Sequence, residues 1–189
     1  MRRLASGDDA AAREIVARFA KPLARFAGGM LNDPAEGEDV AHEAIMRLWR
    51  RAGEWRPDGP IGGWLRRSAY RLAIDRLRVR RRLVPDPDAR LVESRADDRA
   101  DPEAEAFGGE VGAEVRRALG RLPERQRAAL MLAQFDGLSG AAIAEALDST
   151  PEAVESLLAR ARRQLRQDLA GIYDDARETE PAAAERRTA

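Results

Sequence analysis

The sequence predicts an all-α protein: two small helical domains joined by an acidic, flexible linker. Three observations carry this. Apolar residues recur at spacings of three and four in the periodic segments, and none alternates with period two long enough for a strand. Prolines, glycines and small polar residues stand where such helices should begin and end. The 189 residues suffice for one ordinary domain or two small ones, and a stretch poor in apolar side chains divides them.

The elements follow in order. Ile15, Phe19, Leu23, Phe26 and Met30 line one face of a first helix, with Asp8-Asp9 at its start. Pro22 is expected to bend it, because proline removes a ladder donor. Gly28-Gly29 and Asn32-Asp33-Pro34 close the segment. A second helix is expected from about Ala35 to Ala52, with Val40, Ala44 and Leu48 on one stripe and Ala41, Ile45 and Trp49 beside it. Pro57-Asp58-Gly59-Pro60 and Gly62-Gly63 make a loop, and a third helix runs from near Trp64 to about Arg82. Residues 83–110 hold prolines and glycines with few apolar side chains, the composition of a linker. Helical periodicity returns at Val111, Val115, Ala118 and Leu122, and Pro123 suits the first position of the next helix. Ser139 caps a short helix through Leu147, and Thr150-Pro151 open a last one to about Leu169. The polar, alanine-rich residues 171–189 read as a disordered tail.

Charge is balanced in total, with 33 basic and 33 acidic residues, but not in position. Arg66 to Arg82 carries eight arginines against the single acid Asp75, whereas Pro85 to Glu110 holds nine acids against three arginines. A neutral chain sorted in this way can present a strongly basic surface. With no cysteine, disulfides and thiolate metal sites are excluded. No apolar run approaches the ~20 residues of a membrane span, and the start Met1-Arg2-Arg3-Leu4 lacks the apolar core of a signal peptide. A cytoplasmic location follows as the expectation. One histidine, no cysteine and no glycine-rich phosphate loop leave no catalytic set, so neither an enzyme nor a cofactor is expected.

Two segments point to nucleic acid. The helices Leu138–Leu147 and Pro151–Leu169 are separated by Asp148-Ser149-Thr150, the short turn of a helix-turn-helix. Ile143, Leu147, Val154 and Leu158 are placed to pack the pair, while Ser156, Arg160, Arg163 and Gln167 fall on the outer side that such motifs insert into the major groove. In the arginine helix, Leu65, Ala69, Ala73 and Leu77 make a core face, and Arg67, Arg71, Arg78 and Arg82 lie together some 200–260° around at ~100° per residue. Arginines on phosphates release counterions, so binding should weaken steeply with salt. Trp64 and Tyr70 offer flat faces on which an unpaired base could stack. The acid-led helix from Asp33 to Arg50 is amphipathic with its acids at the favourable end of the dipole, which by itself supports only a stable helix.

The run Asp33-Pro34 through Glu38-Asp39-Val40-Ala41-His42-Glu43-Ala44 to Arg47-Leu48-Trp49-Arg50 resembles the polymerase-binding segment of sigma factor region two. Trp64-Leu65 through Asp75-Arg76-Leu77-Arg78 is similar to the promoter-melting and minus-ten-reading segment of that region. Leu122-Pro123-Glu124-Arg125-Gln126-Arg127, Gly137-Leu138-Ser139 and Ile143-Ala144-Glu145-Ala146-Leu147 resemble region four, which reads the minus-thirty-five element. The motifs stand in the right order over most of residues 8 to 170. By resemblance the chain is identified as a member of the extracytoplasmic-function (ECF) class of bacterial RNA polymerase sigma factors.

That resemblance implies a region-two domain over residues 8–82, a linker over 83–110 and a region-four domain over 111–170. It implies that Asp39, His42, Glu43 and Arg47 face the clamp helices of the beta prime subunit of core polymerase. Trp64, Arg67, Tyr70, Arg71, Asp75, Arg76 and Arg78 would lie along the melted minus-ten strand. Ser156, Arg160, Arg162 and Arg163 would contact the minus-thirty-five DNA. The beta flap, promoter DNA and an anti-sigma factor are further implied partners, in a stress-response setting, with no membrane insertion. Departures are His42 for the usual glutamine, Arg71 where many members carry asparagine, Asp148 at the turn glycine, and Glu155 and Leu157 where lysine and arginine are frequent. Two boxes two helical turns apart are separated by roughly 70 Å. A 28-residue linker can extend to about 90 Å, so the span is reachable with the linker held partly stretched. Its acids Asp97, Asp98 and Asp101 are expected to suit a basic channel of polymerase. The main alternative is a helix-turn-helix regulator acting without polymerase. A third reading is a sigma-like decoy that binds an anti-sigma factor; such decoys carry a receiver domain, and no alternating strand-helix pattern in this sequence supports one.

Overall fold

A computed structural model of the chain describes residues 1–56, 60–83, 110–135 and 137–170, apart from the side chains of Arg81, Leu83, Glu110 and Phe135. Every regular element among them is helical, as the periodicity predicts. The acidic linker with Asp97, Asp98 and Asp101, the Pro57–Gly59 part of the loop and the tail from 171 lie outside the described residues.

A short α1 (Arg2–Ala5), which periodicity did not mark, precedes α2 (Asp9–Leu31). Asp8 caps α2 by accepting from the amides of Ala10 and Ala11 at 2.8 and 3.2 Å, so the paired acids Asp8-Asp9 are a helix start. The helix is continuous through Pro22. Tertiary packing of Leu23, Phe26, Ala27 and Met30, all nearly inaccessible, holds the C-terminal half in place. Asn32 ends α2 in the left-handed region (φ 55°), a conformation asparagine tolerates. Asp33 then caps α3 (Pro34–Arg50) by accepting from Glu36 N at 3.1 Å, with Pro34 in the first turn.

The α2–α3 hairpin is the tightest packing in the N-terminal half. Val40, Ala44 and Leu48 are fully buried. Gly37 lies so close to α2 that a β-carbon there would stand 2.5 Å from Ala24 O and Gly28 N. Trp49, placed beside the stripe by sequence, is 41% exposed instead. A 3-10 turn (Ala52–Glu54) leads to α4 (Ile61–Leu83), which closes the bundle with Leu65, Ala69, Leu72, Ala73 and Ile74.

The C-terminal half is built from α5 (Glu110–Arg121), α6 (Glu124–Phe135), α7 (Gly140–Ala146) and α8 (Pro151–Asp168). Ser139 and Thr150 cap α7 and α8 through the amides of Ala142 and Ala153. Ile143, Leu147, Val154 and Ala161 are buried and Leu158 half-buried, the packing expected of a helix-turn-helix. Its turn passes through Asp148 at φ 47°. The two halves touch: α6 packs on α2 and α7 on α4, and buried residues of both belong to one apolar cluster. Among the described residues no helix is long and apolar enough to cross a membrane.

Candidate nucleic-acid interface

On α3, burial of the Val40–Ala44–Leu48 stripe turns the charged side chains outward. Asp39, His42 and Arg47 are exposed and Glu43 is half-buried. Glu43 accepts from Arg47 one turn on, at 2.6 Å to Nη2 and 3.1 Å to Nε. This i, i+4 pair fixes the geometry of the face more than it stabilises the helix. The four residues singled out in the sequence therefore share one accessible surface.

On α4 the arginines divide. Arg71, Arg78 and Arg82 are exposed and Arg67 is half-exposed on the side opposite the core. Arg76 and Arg80 turn the other way. Arg76 donates to Glu36 O at 3.0 Å and lies 3.8 Å from Glu43. Arg80 donates to Leu31 O at 2.8 Å and pairs with Glu36 at 2.7 Å. The two guanidiniums tie α4 to the α2–α3 corner, Arg80 at the last carbonyl of α2 and Arg76 in the first turn of α3. Asp75 stays exposed beside Arg78 at 3.4 Å. Tyr70 is half-buried, and burial raises the pKa of its phenol.

Trp64, in the first turn of α4, packs edge-on against Trp55 with centroids 5.9 Å apart and planes at 78°. They border a cleft of about 650 Å³ lined also by Arg51, Glu54, Arg56, Pro60, Arg67 and Glu145. A second concavity of about 460 Å³ shares Arg51, Glu54, Trp64 and Arg67 and adds Arg47, Arg50, Ser68 and Arg71. Together they form a basic track from the end of α3 to the face of α4. Aromatic rings beside arginines provide what an unpaired strand requires: surfaces for bases and cations for phosphates. Sequence reasoning missed Arg50, Arg51, Trp55 and Arg56. The dibasic Arg50-Arg51 one turn past Arg47 and the Trp55-Arg56 step before the loop were the available signals.

On α8, Ser156, Arg160 and Arg163 are exposed and lie within about 60° of one another around the helix. Arg162 is exposed too, but about 100° from Arg163, on a flank. Glu152 at the first turn has its pKa lowered by its own backbone amide and the Thr150 hydroxyl. It keeps a negative charge at the end of α8 that enters the groove in such motifs.

Two family models match the chain in tandem: sigma-70 region 2 over residues 15–83 and sigma-70 region 4 over residues 112–165. The chain is 29% identical to the RNA polymerase sigma-H factor of Pseudomonas aeruginosa, over 92% of this chain and 94% of that protein. It is 32% identical to the ECF RNA polymerase sigma factor SigM of Mycobacterium tuberculosis, covering 85% of this chain and 78% of the relative. The structure is similar to that of CnrH in complex with the cytosolic domain of CnrY, at TM-score 0.68 and 25% identity over 90% of this chain and 94% of that one. It shares its fold with the sigma factor RpoE in complex with the anti-sigma factor NepR from Bartonella quintana, at TM-score 0.67 and 23% identity over 84% and 96%. The alternative of a regulator acting without polymerase is not favoured by these matches. With both regions matched in order and a relative aligned along most of its length, the chain belongs to the ECF sigma factors of RNA polymerase.

Proposed function

We propose that this sigma factor divides its work among three surfaces. Residues 8–82 dock on core polymerase through Asp39, His42, Glu43 and Arg47 on the beta prime clamp helices. The same domain holds the opened minus-ten strand on Trp64, Arg67, Tyr70, Arg71 and Arg78, beside Asp75, with Arg50, Arg51, Trp55 and Arg56 extending the track. Residues 111–170 contact the beta flap and read the minus-thirty-five element with Ser156, Arg160 and Arg163, flanked by Arg162. Residues 83–110 join the domains. The protein acts in the cytoplasm as a binding factor rather than an enzyme. An anti-sigma factor is a further partner, as NepR is in its complex with RpoE.

The observation that carries this reading is the aromatic-arginine cleft at the start of α4, next to the exposed face of α3. Flipping a base costs a few kcal/mol, and stacking on Trp64 together with phosphate contacts can exceed that cost. Each domain alone binds weakly, and polymerase raises the effective concentration of one for the other. Run-off transcription by purified core polymerase on a promoter library tests the assignment and defines both boxes. Transcription should depend on the protein, and Glu43→Lys with Arg47→Glu should abolish holoenzyme assembly while sparing the fold. Failure of the wild-type chain to associate with core polymerase at low salt would overturn the reading.

A further inference from the structure

We propose that Glu152 reads a base: its carboxylate accepts from the exocyclic amine of a cytosine on the floor of the major groove, and so sets a C·G pair in the minus-thirty-five box. The inference rests on assigning α8 to that box and goes beyond it by naming the reader and the base.

The burial pattern of α8 supplies the geometry. Val154 and Ala161 are buried and Leu158 and Leu165 half-buried, so this stripe faces the rest of the domain. At ~100° per residue, Glu152, Ser156, Ala159 and Arg163 fall within about 60° of one another on the opposite side, and all four are exposed. They form a line ~17 Å long at ~1.5 Å per residue, about five base steps of ~3.4 Å. Glu152 is the second residue of the helix, and such motifs bring the N-terminal residues of this helix to the base edges. Arg160 stands on one flank of the line and Arg162 on the other, with Glu155 beside Arg162. Phosphates border the groove, so the flanking arginines meet the backbone while the acid faces the floor.

The chemistry then selects the base. An ionised carboxylate accepts hydrogen bonds and donates none. On the major-groove edge guanine shows only acceptors, and thymine an acceptor and a methyl group. Adenine shows an amine beside the N7 acceptor, and cytosine an amine alone. A glutamate on the floor is therefore repelled by guanine and thymine, half-matched by adenine and matched by cytosine. Glu152 is held in the ionised form, its pKa lowered by its own backbone amide and by the Thr150 hydroxyl. Thr150 Oγ1 accepts from Ala153 N at 3.2 Å, which leaves the hydroxyl hydrogen for the carboxylate. Among the described residues no arginine pairs with Glu152. Two blander roles make different predictions. An acid that only complements the helix dipole changes stability and no base preference. An acid that only repels phosphate weakens binding to every box alike.

The test uses holoenzyme assembled from core polymerase and the full chain. Run-off transcription is read by sequencing, on a promoter whose upstream box is randomised and barcoded in the transcript. Wild type, Glu152→Gln and Glu155→Gln are compared. Glutamine keeps the size of the side chain and pairs bidentately with adenine N6 and N7. Wild type should prefer cytosine at one position by roughly tenfold, the scale of one mismatched contact. Glu152→Gln should move that preference to adenine and leave the other positions as they were. Glu155→Gln, off the line, should change output from all boxes alike without changing any base. Identical base preferences for wild type and Glu152→Gln at every position overturn the inference and leave the assignment of α8 to the box standing. Absence of any base preference across the box, with transcription intact, overturns that assignment and the inference with it.

Discussion

Replacing Gly37 by alanine should destabilise the protein, although the same change in an ordinary helix interior is favourable by ~0.8–1 kcal/mol. The reason is the crossing of α2 and α3. The added β-carbon would stand 2.5 Å from Ala24 O and Gly28 N and 2.6 Å from Gly28 Cα, all backbone atoms. No side chain can swing away, so the helices must separate by roughly 1 Å to reach van der Waals contact. Overpacking of this kind costs about 1–3 kcal/mol, and the upper part applies because Val40, Ala44 and Leu48 on the same face lose their fit together. Subtracting the propensity gain leaves a net loss of about 1–2 kcal/mol. Urea denaturation followed by far-UV circular dichroism, comparing midpoints at unchanged slope, measures it. A midpoint above wild type would show that helix propensity outweighs the crossing, and the argument from close approach would fail.

Three further outcomes are expected. Thr150→Ala removes the cap on Ala153 N at 3.2 Å and should cost about 1 kcal/mol, seen in the same denaturation assay. Arg163→Ala should weaken protection of the minus-thirty-five box in holoenzyme footprints while shifting stability by no more than about 0.5 kcal/mol, as for an exposed side chain. The Asp8 carboxyl is held below its ordinary pKa by the Arg3 side chain at 2.6 Å and by the amides of Ala11 and Ala10. A carboxylate whose pKa is depressed on folding stabilises the fold above its unfolded pKa and loses that effect as pH falls through the folded value. The start of α2 should accordingly loosen only in acid, below the usual aspartate pKa of about 4. A carboxyl NMR titration of Asp8 with a midpoint at or above that value would contradict the assignment.

Much of the architecture was legible because helix periodicity and capping are local. Ser139 and Thr150 cap as read, and the Ile143–Leu147–Val154 contact follows from spacing alone. Pro22 sits inside a continuous α2 despite the hydrogen bond its missing N–H forfeits, because that cost is local while the burial that outweighs it comes from other helices. Trp49 escaped because hydrophobicity alone does not tell a core residue from one left at a surface. The candidate site was legible where it lies on one helix, as for α3 and the outer face of α8. Where it is assembled from separate segments, as with Trp55, Arg56 and Arg51 around Trp64, no single periodicity could reveal it. Glu145 and Asp148 looked like helix-turn-helix residues and nothing more, since the arginines they meet are 77 or more positions away in sequence.

The same distinction separates Arg76 from Arg78, two positions apart in a run that sequence assigns wholly to the minus-ten strand. Arg78 is exposed on the outer face; Arg76 is turned inward to Glu36 O and Glu43, with 29% of its side chain accessible. Both substitutions to alanine should impair promoter opening, so loss of activity does not discriminate them. Salt dependence does. Affinity for single strands falls with a slope of about −0.7 per phosphate contacted. Arg78→Ala should therefore flatten the slope of log affinity against log salt by about 0.7 in holoenzyme and leave stability near wild type. Arg76→Ala should leave the slope unchanged and cost about 1 kcal/mol, the scale of a partly screened charged hydrogen bond. A flattened slope for Arg76→Ala at unchanged stability would place its guanidinium on the strand and refute its role as the tie that orients α4 against α3.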